Sequence, residues 1–416
     1  MKNFVRVLAV SLLLFAARST LADCGQLAAT LTNLPAIDGS GFQVNGLNSA
    51  GQLTGFFYIA GVHAGHAFVY SDGNLVEAGT LGGSFSDGLG INAHGWIVGQ
   101  SQLEGDTLTH AFAFDGTTLF DLLTLGGSTS SASAINDSGQ VVGSSSVTND
   151  EGTEAFLYTN GVMSSLGTLG GPYSSASAIN NSGVIIGESM LATGDIHGFV
   201  YANGLMTDMG TLGGNGSAPF ALNDSGLVVG QSFAASGETH GFVYSDGTMT
   251  DVGTFGGSYS AAFLVNNANQ VAGLSTTEGD AQYLGFIYAN GAKTSLGTLG
   301  GSYSVPHGMN GLGQIVGEAD TIDGADHAFL WDKGSMLDLN SLLPTNSNWE
   351  LNVPIFINDA GRIVGLGSHD GLFDWFILDL RRGNNPPVAV AGANQVVDCQ
   401  TQVNLDGSQS SDPDGD

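Results

Sequence analysis

A block of about 44 residues is written eight times along the chain, and no other feature restricts the possible folds so tightly. The Asn of an Ile-Asn-x-x-Gly phrase, or a close variant, recurs at Asn48, Asn92, Asn136, Asn180, Asn223, Asn266, Asn310 and Asn358. A second phrase ends at Phe68, Phe112, Phe156, Phe199, Phe242, Phe286, Phe329 and Phe376. A third, Thr-Leu-Gly-Gly, starts at Thr80, Thr124, Thr168, Thr211, Thr254 (with Phe255 for Leu) and Thr298. A fixed period of this length marks a solenoid, propeller or array, in which each unit buries its apolar face against its neighbours.

The third copy shows what one unit encodes. Ala132 to Ile135 is a short alternating run ending at the turn Asn136-Asp137-Ser138-Gly139, and Gln140 to Ser144 is a run carrying Val141 and Val142. An acidic connection from Val147 to Thr153 leads to Ala155-Phe156-Leu157-Tyr158. Asn160-Gly161 then predicts a two-residue hairpin, because both central residues of a type I′ turn need positive φ. Val162 to Thr168 is the fourth run. The same turn is expected at Asp72-Gly73, Asp115-Gly116, Asn203-Gly204, Asp246-Gly247, Asn290-Gly291 and Lys333-Gly334. Four short strands joined by tight turns make one blade of a β-propeller. After residue 22 no apolar pattern has the 3.6-residue period of a helix.

The strand count predicts how the ends meet. The Asn turn and the Phe strand each occur eight times, but only seven internal copies of the fourth strand exist, and the chain leaves the last unit through Leu380-Arg381-Arg382. Gln26 to Leu34, an unassigned β-like run ahead of the first unit, is expected to supply the missing strand and so hide two sheet edges. An all-β propeller of eight four-stranded blades over residues 23–380 is the first reading. Seven blades with one irregular copy, or a β-helix with two turns per repeat, are the alternatives. The last copy is stretched by an insertion around Pro344 to Leu351.

Residues 1–22 carry Lys2 and Arg6, an apolar stretch from Leu8 to Ala17 and the small residues Thr20-Leu21-Ala22, the layout of a secretory signal peptide. The stretch is too short to span a bilayer, which takes about 20 residues. Export to the medium or the cell surface is therefore expected. Cys24 and Cys399 lie outside the repeats, so the repeated core needs no disulfide. The net charge is −30, and no Lys or Arg occurs between Arg18 and Lys293. Nucleic acid and anionic lipid, which bind through Lys and Arg, are excluded as partners.

His66-Ala67-Phe68, His110-Ala111-Phe112 and His327-Ala328-Phe329 each lie near a Leu-Gly-Thr-Leu-Gly-Gly and an Ile-Asn-x-x-Gly-x-Val-Val-Gly, or close variants. Together they resemble the HAF family of extracellular repeats over roughly residues 40 to 380. The His becomes Glu154, Leu284 and Asp374 in other copies, and the Ala becomes Gly198, Gly241 and Gly285. That family brings no catalytic residues to carry over. Beyond a linker at 381–387, residues 388–416 resemble the first strands of a PKD-type, Ig-like domain, with Leu405-Asp406-Gly407-Ser408 and Asp412-Pro413-Asp414-Gly415-Asp416. About 30 residues are present, against the ~100 that such a sandwich needs.

Three groups of residues could carry chemistry. His66, His110, His197, His240 and His327 share one repeat position, and a ring of imidazoles could bind metal; a scaffold role copied with the repeat is the preferred reading. Asn136, Asn180 and Asn223 are expected to bond the backbone two residues on. The acidic connections carry Glu104, Asp106, Asp150, Glu151, Asp195, Glu238, Glu278, Asp280, Asp320 and Asp323, with Asp326 beside them. Variable loops on a rigid scaffold are where binding concentrates, so these are the candidate binding rim. Asp412, Asp414 and Asp416 have the alternating carboxylates of a Ca²⁺ loop, making Ca²⁺ the one cofactor suggested. No nucleophile elbow, P-loop, His-Glu-x-x-His or Cys-x-x-Cys occurs. The expectation is a monomeric, non-catalytic module for an extracellular glycan or protein; the alternative is a secreted carbohydrate-active enzyme with its site at the acidic rim.

Overall fold

The computed structural model describes residues 28–34, 41–59, 61 and 64–381. The signal-like segment, both cysteines, the PKD-like segment and Asp412, Asp414 and Asp416 lie outside the described residues. Among those described there is no α-helix, only strands and three short 3-10 turns. No helix is long and apolar enough to cross a membrane.

Strands follow one another in antiparallel groups of four, each group repeating the last. In the third unit they are Gly126–Ile135, Val141–Val147, Thr153–Thr159 and Val162–Gly167. The first is longer than the run Ala132 to Ile135 suggests, because it starts at the Gly-Gly of the Thr-Leu-Gly-Gly phrase. Two register shifts, between Gly126 and Ser130 and between Ala132 and Ala134, absorb the extra residues. Such bulges bend a strand and increase its twist. The shift at Ala132 also explains the glycine of the second strand. A Cβ on Gly143 would lie 2.0 Å from the Ser131 carbonyl oxygen and 3.0 Å from the Phe156 ring, so no side chain fits.

Asn160 and Gly161 have φ of 52° and 82°, as a type I′ turn requires. Asp115-Gly116 departs from this expectation. Gly116 has positive φ but Asp115 does not. Its carboxylate instead accepts the N–H groups of Thr117 and Thr118, both at 2.8 Å, and the turn widens to leave a fourth strand of only Leu119–Asp121. Threonines after the Gly offer a hydroxyl and N–H groups that the short Asp side chain can gather, which competes with the two-residue turn.

The core is built between units. The eight repeated phenylalanines, from Phe68 to Phe376, are completely buried. Phe199 packs with Ala176 and Ile185 of its own unit against Val142, Ala155 and Leu166 of the preceding one. Apolar side chains alternating along each strand therefore serve two neighbouring units at once.

A hydroxyl stitches the same seam. Ser174 Oγ, fully buried, accepts the Ala155 N–H of the preceding unit at 2.8 Å and donates to the Gly167 carbonyl at 2.6 Å. Ser86, Ser130, Ser217, Ser260 and Ser304 accept equivalent N–H groups at 2.8–3.0 Å.

The first and last units meet. Ala28–Asn33 lies beside Leu372–Arg381 in a four-stranded sheet with Arg362–His369 and Trp349–Ile357. Val364, Trp375 and Ile377 share one apolar cluster with Leu34, Val44, Leu53, Phe57, Phe68 and Tyr70. Trp375 Nε1 donates to the Phe42 carbonyl at 2.9 Å. The Arg362 guanidinium reaches the Gly51 carbonyl at 2.9 Å and Asp72 at 3.0 Å while holding Asp379 of its own unit at 2.8 Å. Just ahead of the insertion the chain forms a 3-10 turn, Leu339–Leu342, whose Asn340 bonds Leu351 through both its amide oxygen and its amide nitrogen.

Candidate functional site

The turn asparagines gather at the centre. Asn136 Oδ1 accepts the N–H groups of Ser138 and Gln140 at 3.1 and 3.0 Å, the first being the bond expected of a turn Asn. Its Nδ2 donates to Gln140 Oε1 at 2.8 Å and, at 3.1 Å, to the carbonyl of Asn180 in the next unit. Every hydrogen-bonding position of the side chain is used. The inter-unit bond repeats from Asn48 to Asn92, Asn92 to Asn136, Asn180 to Asn223, Asn223 to Asn266, Asn266 to Asn310 and Asn310 to Asn358. Asn358 Nδ2 returns to the Asn48 carbonyl at 3.3 Å, so eight buried amides form one circuit.

Above these amides lies a basin of about 420 Å³. Its lip is made by the residues that follow each Asn, among them the exposed carboxylates Asp137, Asp224 and Asp359. They are cross-braced: Asp137 accepts the Ala93 N–H at 2.9 Å and the Asn181 amide at 3.0 Å. Asp224 accepts the Asn181 N–H at 3.1 Å and the Asn267 amide at 2.8 Å, and Asp359 the Gly311 N–H at 2.6 Å. Among the described residues, no Lys, Arg or His lines the basin. A carboxylate has about four acceptor positions, so each still has capacity towards a ligand. The basin accepts hydrogen bonds, repels anions and has an exposed, cross-braced rim.

The repeated histidines lie elsewhere, between the third and fourth strands. Each Nδ1 faces a carboxylate eleven residues on: His110 with Asp121 at 3.0 Å, His197 with Asp208 at 2.9 Å, His240 with Asp251 at 2.7 Å and His327 with Asp338 at 2.8 Å. His66 pairs with Glu77 in the same way. Where Glu154 replaces His, Ser165 takes the partner position and donates to it. The i, i+11 relation between His and acid is visible in the sequence once strand pairing is known.

The carboxylates expected on the acidic connections divide, and Asp320 is not on a loop but within the strand Ile315–Thr321, paired with Asp326. Asp106 accepts the Ser84 N–H at 2.7 Å, Asp150 that of Ser128 at 2.8 Å, Asp280 that of Ser258 at 2.8 Å, and Asp320 those of Ser302 and Tyr303 at 2.9 and 2.7 Å. All four fasten the start of the first strand in their own unit. The Ser128 N–H and nearby hydroxyls hold Asp150 below the usual carboxylate range, and the Thr276 hydroxyl with the Ser258 N–H does the same for Asp280. Asp195 and Glu238 accept only from Thr193 and Ser236 in their own loops. Glu104, Glu151, Glu278 and Asp323 accept no hydrogen bond from the described residues. Among those residues, no three His, Cys, Asp or Glu side chains gather as metal ligands.

Two half-buried carboxylates occupy one repeat position with opposite surroundings. Glu318 accepts the Tyr303 hydroxyl at 2.6 Å, with His307 Nε2 3.6 Å away. His307 beside it and the Tyr303 hydroxyl hold its carboxyl below the usual range. Glu188 has no hydrogen-bond partner among the described residues, and burial pushes its carboxyl up.

The chain is an all-β protein whose structure is similar to β-propeller domains. It is similar to the β-propeller domain of the trilobed protease from Pyrococcus furiosus, with 10% identity and a TM-score of 0.44 over 74% of this chain and 99% of that one. TolB from Acinetobacter baumannii matches with 11% identity and a TM-score of 0.34, over 85% of this chain and 82% of the other. Porphyromonas gingivalis dipeptidyl peptidase 4 matches with 11% identity and a TM-score of 0.41, over 76% of this chain and 53% of that one. No family model and no curated protein matches the sequence.

Proposed function

We propose that the chain is an exported, HAF-type β-propeller of eight blades, closed by its first strand, that binds an extracellular glycan in the central basin without transforming it. One observation carries this reading: the basin is walled mainly by Asn, Asp and Ser groups, with Ile91, Ile135, Ile179, Leu222, Val265 and Met309 between them, has no cation in its lining among the described residues, and is braced by the amide circuit. Sugar hydroxyls are donors that carboxylates and carbonyls accept, and a preorganised polar cup costs little to order on binding. The four carboxylates Asp106, Asp150, Asp280 and Asp320 are occupied by backbone N–H groups, which moves the preferred contact surface from the acidic loops to the Asn face.

The test is a polysaccharide pull-down with the mature chain, followed by titration and product analysis. Retention of a neutral glycan, unchanged in length, is expected. Asp224→Ala is expected to weaken binding by about tenfold, the cost of a charge-assisted hydrogen bond, with the fold checked by circular dichroism. Product release that stops on Glu104→Gln would instead make the protein a secreted carbohydrate-active enzyme working at its acidic loops. Glycan binding unaffected by Asp224→Ala would remove the basin from consideration.

A further inference from the structure

A second cavity, of about 230 Å³, opens between the fourth and fifth units, and Gly216 is the reason. The fourth residue of each unit's first strand is Phe85, Thr129, Tyr173, Gly216, Tyr259 or Tyr303 in the second to seventh units. At two of these junctions the ring packs against the preceding unit: Phe85 lies against Phe56 with ring centres 5.0 Å apart. Tyr259 reaches back to Gln231 of the preceding unit, Oη to Oε1 3.4 Å. Gly216 has no side chain to do either. The junction at Thr129, the other small residue, also stays open, as a smaller cleft of about 170 Å³ with hydroxyl-rich walls.

What the missing ring leaves uncovered is chemically specific. The register that places Gln231 under Tyr259 places Glu188 under Gly216, and Gln231 lies on the other side of the same cleft. Phe233 and Ile196, 45% and 40% exposed, supply apolar walls, with Thr239 at the edge. Glu318, in the register of Glu188, takes a tyrosine hydroxyl at 2.6 Å from Tyr303 of its own unit, whereas the corresponding Tyr173 makes no such bond to Glu188 among the described residues. A half-buried carboxylate without a partner costs free energy that a donor recovers. The volume is below the 300–1,000 Å³ of drug-sized sites and suits a single ring.

We propose that the Gly216 cleft binds a para-substituted phenol, the group a tyrosine side chain carries, with the ring against Phe233 and the hydroxyl donated to Glu188. The ligand stands where the tyrosines of the other junctions stand. Burial that raises the Glu188 carboxyl is relieved as its oxygen accepts that hydrogen bond. The site is separate from the central basin, so glycan binding and phenol binding stand or fall independently.

The experiment is a titration of the full mature chain with p-cresol and, in parallel, with toluene, followed by NMR chemical shifts. Saturable shifts with p-cresol, and affinity for toluene weaker by about fivefold or more, are expected from the loss of one hydrogen bond. Gly216→Tyr fills the cleft and abolishes the p-cresol shifts. Glu188→Leu places there the residue that the sixth unit carries as Leu274, so it is compatible with the fold, and it removes the preference for p-cresol over toluene. Absence of saturable p-cresol shifts, equal affinity for toluene, or an undiminished preference in Glu188→Leu would each overturn the proposal.

Discussion

Asp87 lies half-buried where the first strands of two neighbouring units meet, its Oδ1 2.7 Å from Nδ2 of Asn45. Burial pushes its carboxyl up to about 6, with the Asn45 bond pulling part of the way back. The native state thus holds this proton more tightly than the unfolded chain, where an aspartate titrates near ~4. Below both values the group costs nothing. As pH rises through that interval the native state gives up the proton against its preference, stability falls, and the loss persists above it. Asp87→Asn, neutral throughout, is expected to match the parent near pH ~4 and to melt a few degrees higher near pH ~7.5, in paired thermal scans. Equal differences at both values would contradict this sign.

At the scale of strands, the units are joined by groups that the repeat copies but hydropathy does not flag. Replacing Ser174 by Ala leaves the Ala155 N–H buried without an acceptor, which costs about 1–3 kcal/mol. Urea unfolding should show that loss, whereas Ser164→Ala, outside the seam, should leave the midpoint near its parent value. The turns and three of the four strands of a unit were legible because Asn-Gly pairs and β-branched runs carry their own backbone preferences. The first strand was half legible: Gly126-Gly127-Ser128 reads as loop, yet the bulges let it pair with Val141–Val147 as a strand. The ten acidic residues expected on the connections looked like a rim. Asp106, Asp150, Asp280 and Asp320 instead fasten the start of the first strand, a role that depends on backbone N–H groups about 20 residues away, which no local pattern displays. The Asn circuit was hidden for the same reason. One Asn bonds its own turn and the next unit together, and only the first bond is local.

Over the described residues, the repeat turns local bonds into a series that runs from unit to unit. One amide per unit joins a circuit of eight, and the buried Phe of each of the first seven units sits in its own apolar cluster. A chain with 38 acidic residues and 8 basic ones repels itself, so shape must come from burial between units rather than from charge pairing. Two of the scarce cations serve joints: Arg362 spans the first and last units, and Lys293 donates to the Gly253 carbonyl at 2.6 Å over the Phe255 ring. In such arrays stability is shared between neighbours, and an unclosed end exposes a sheet edge. Closure is therefore tested most directly by thermal unfolding of the mature chain with and without residues 23–38. Without them the midpoint should fall by roughly 5 °C or more and oligomers should form through the bared edge of Leu372–Arg381. An unchanged midpoint with an unchanged monodisperse profile would contradict a ring closed by its first strand.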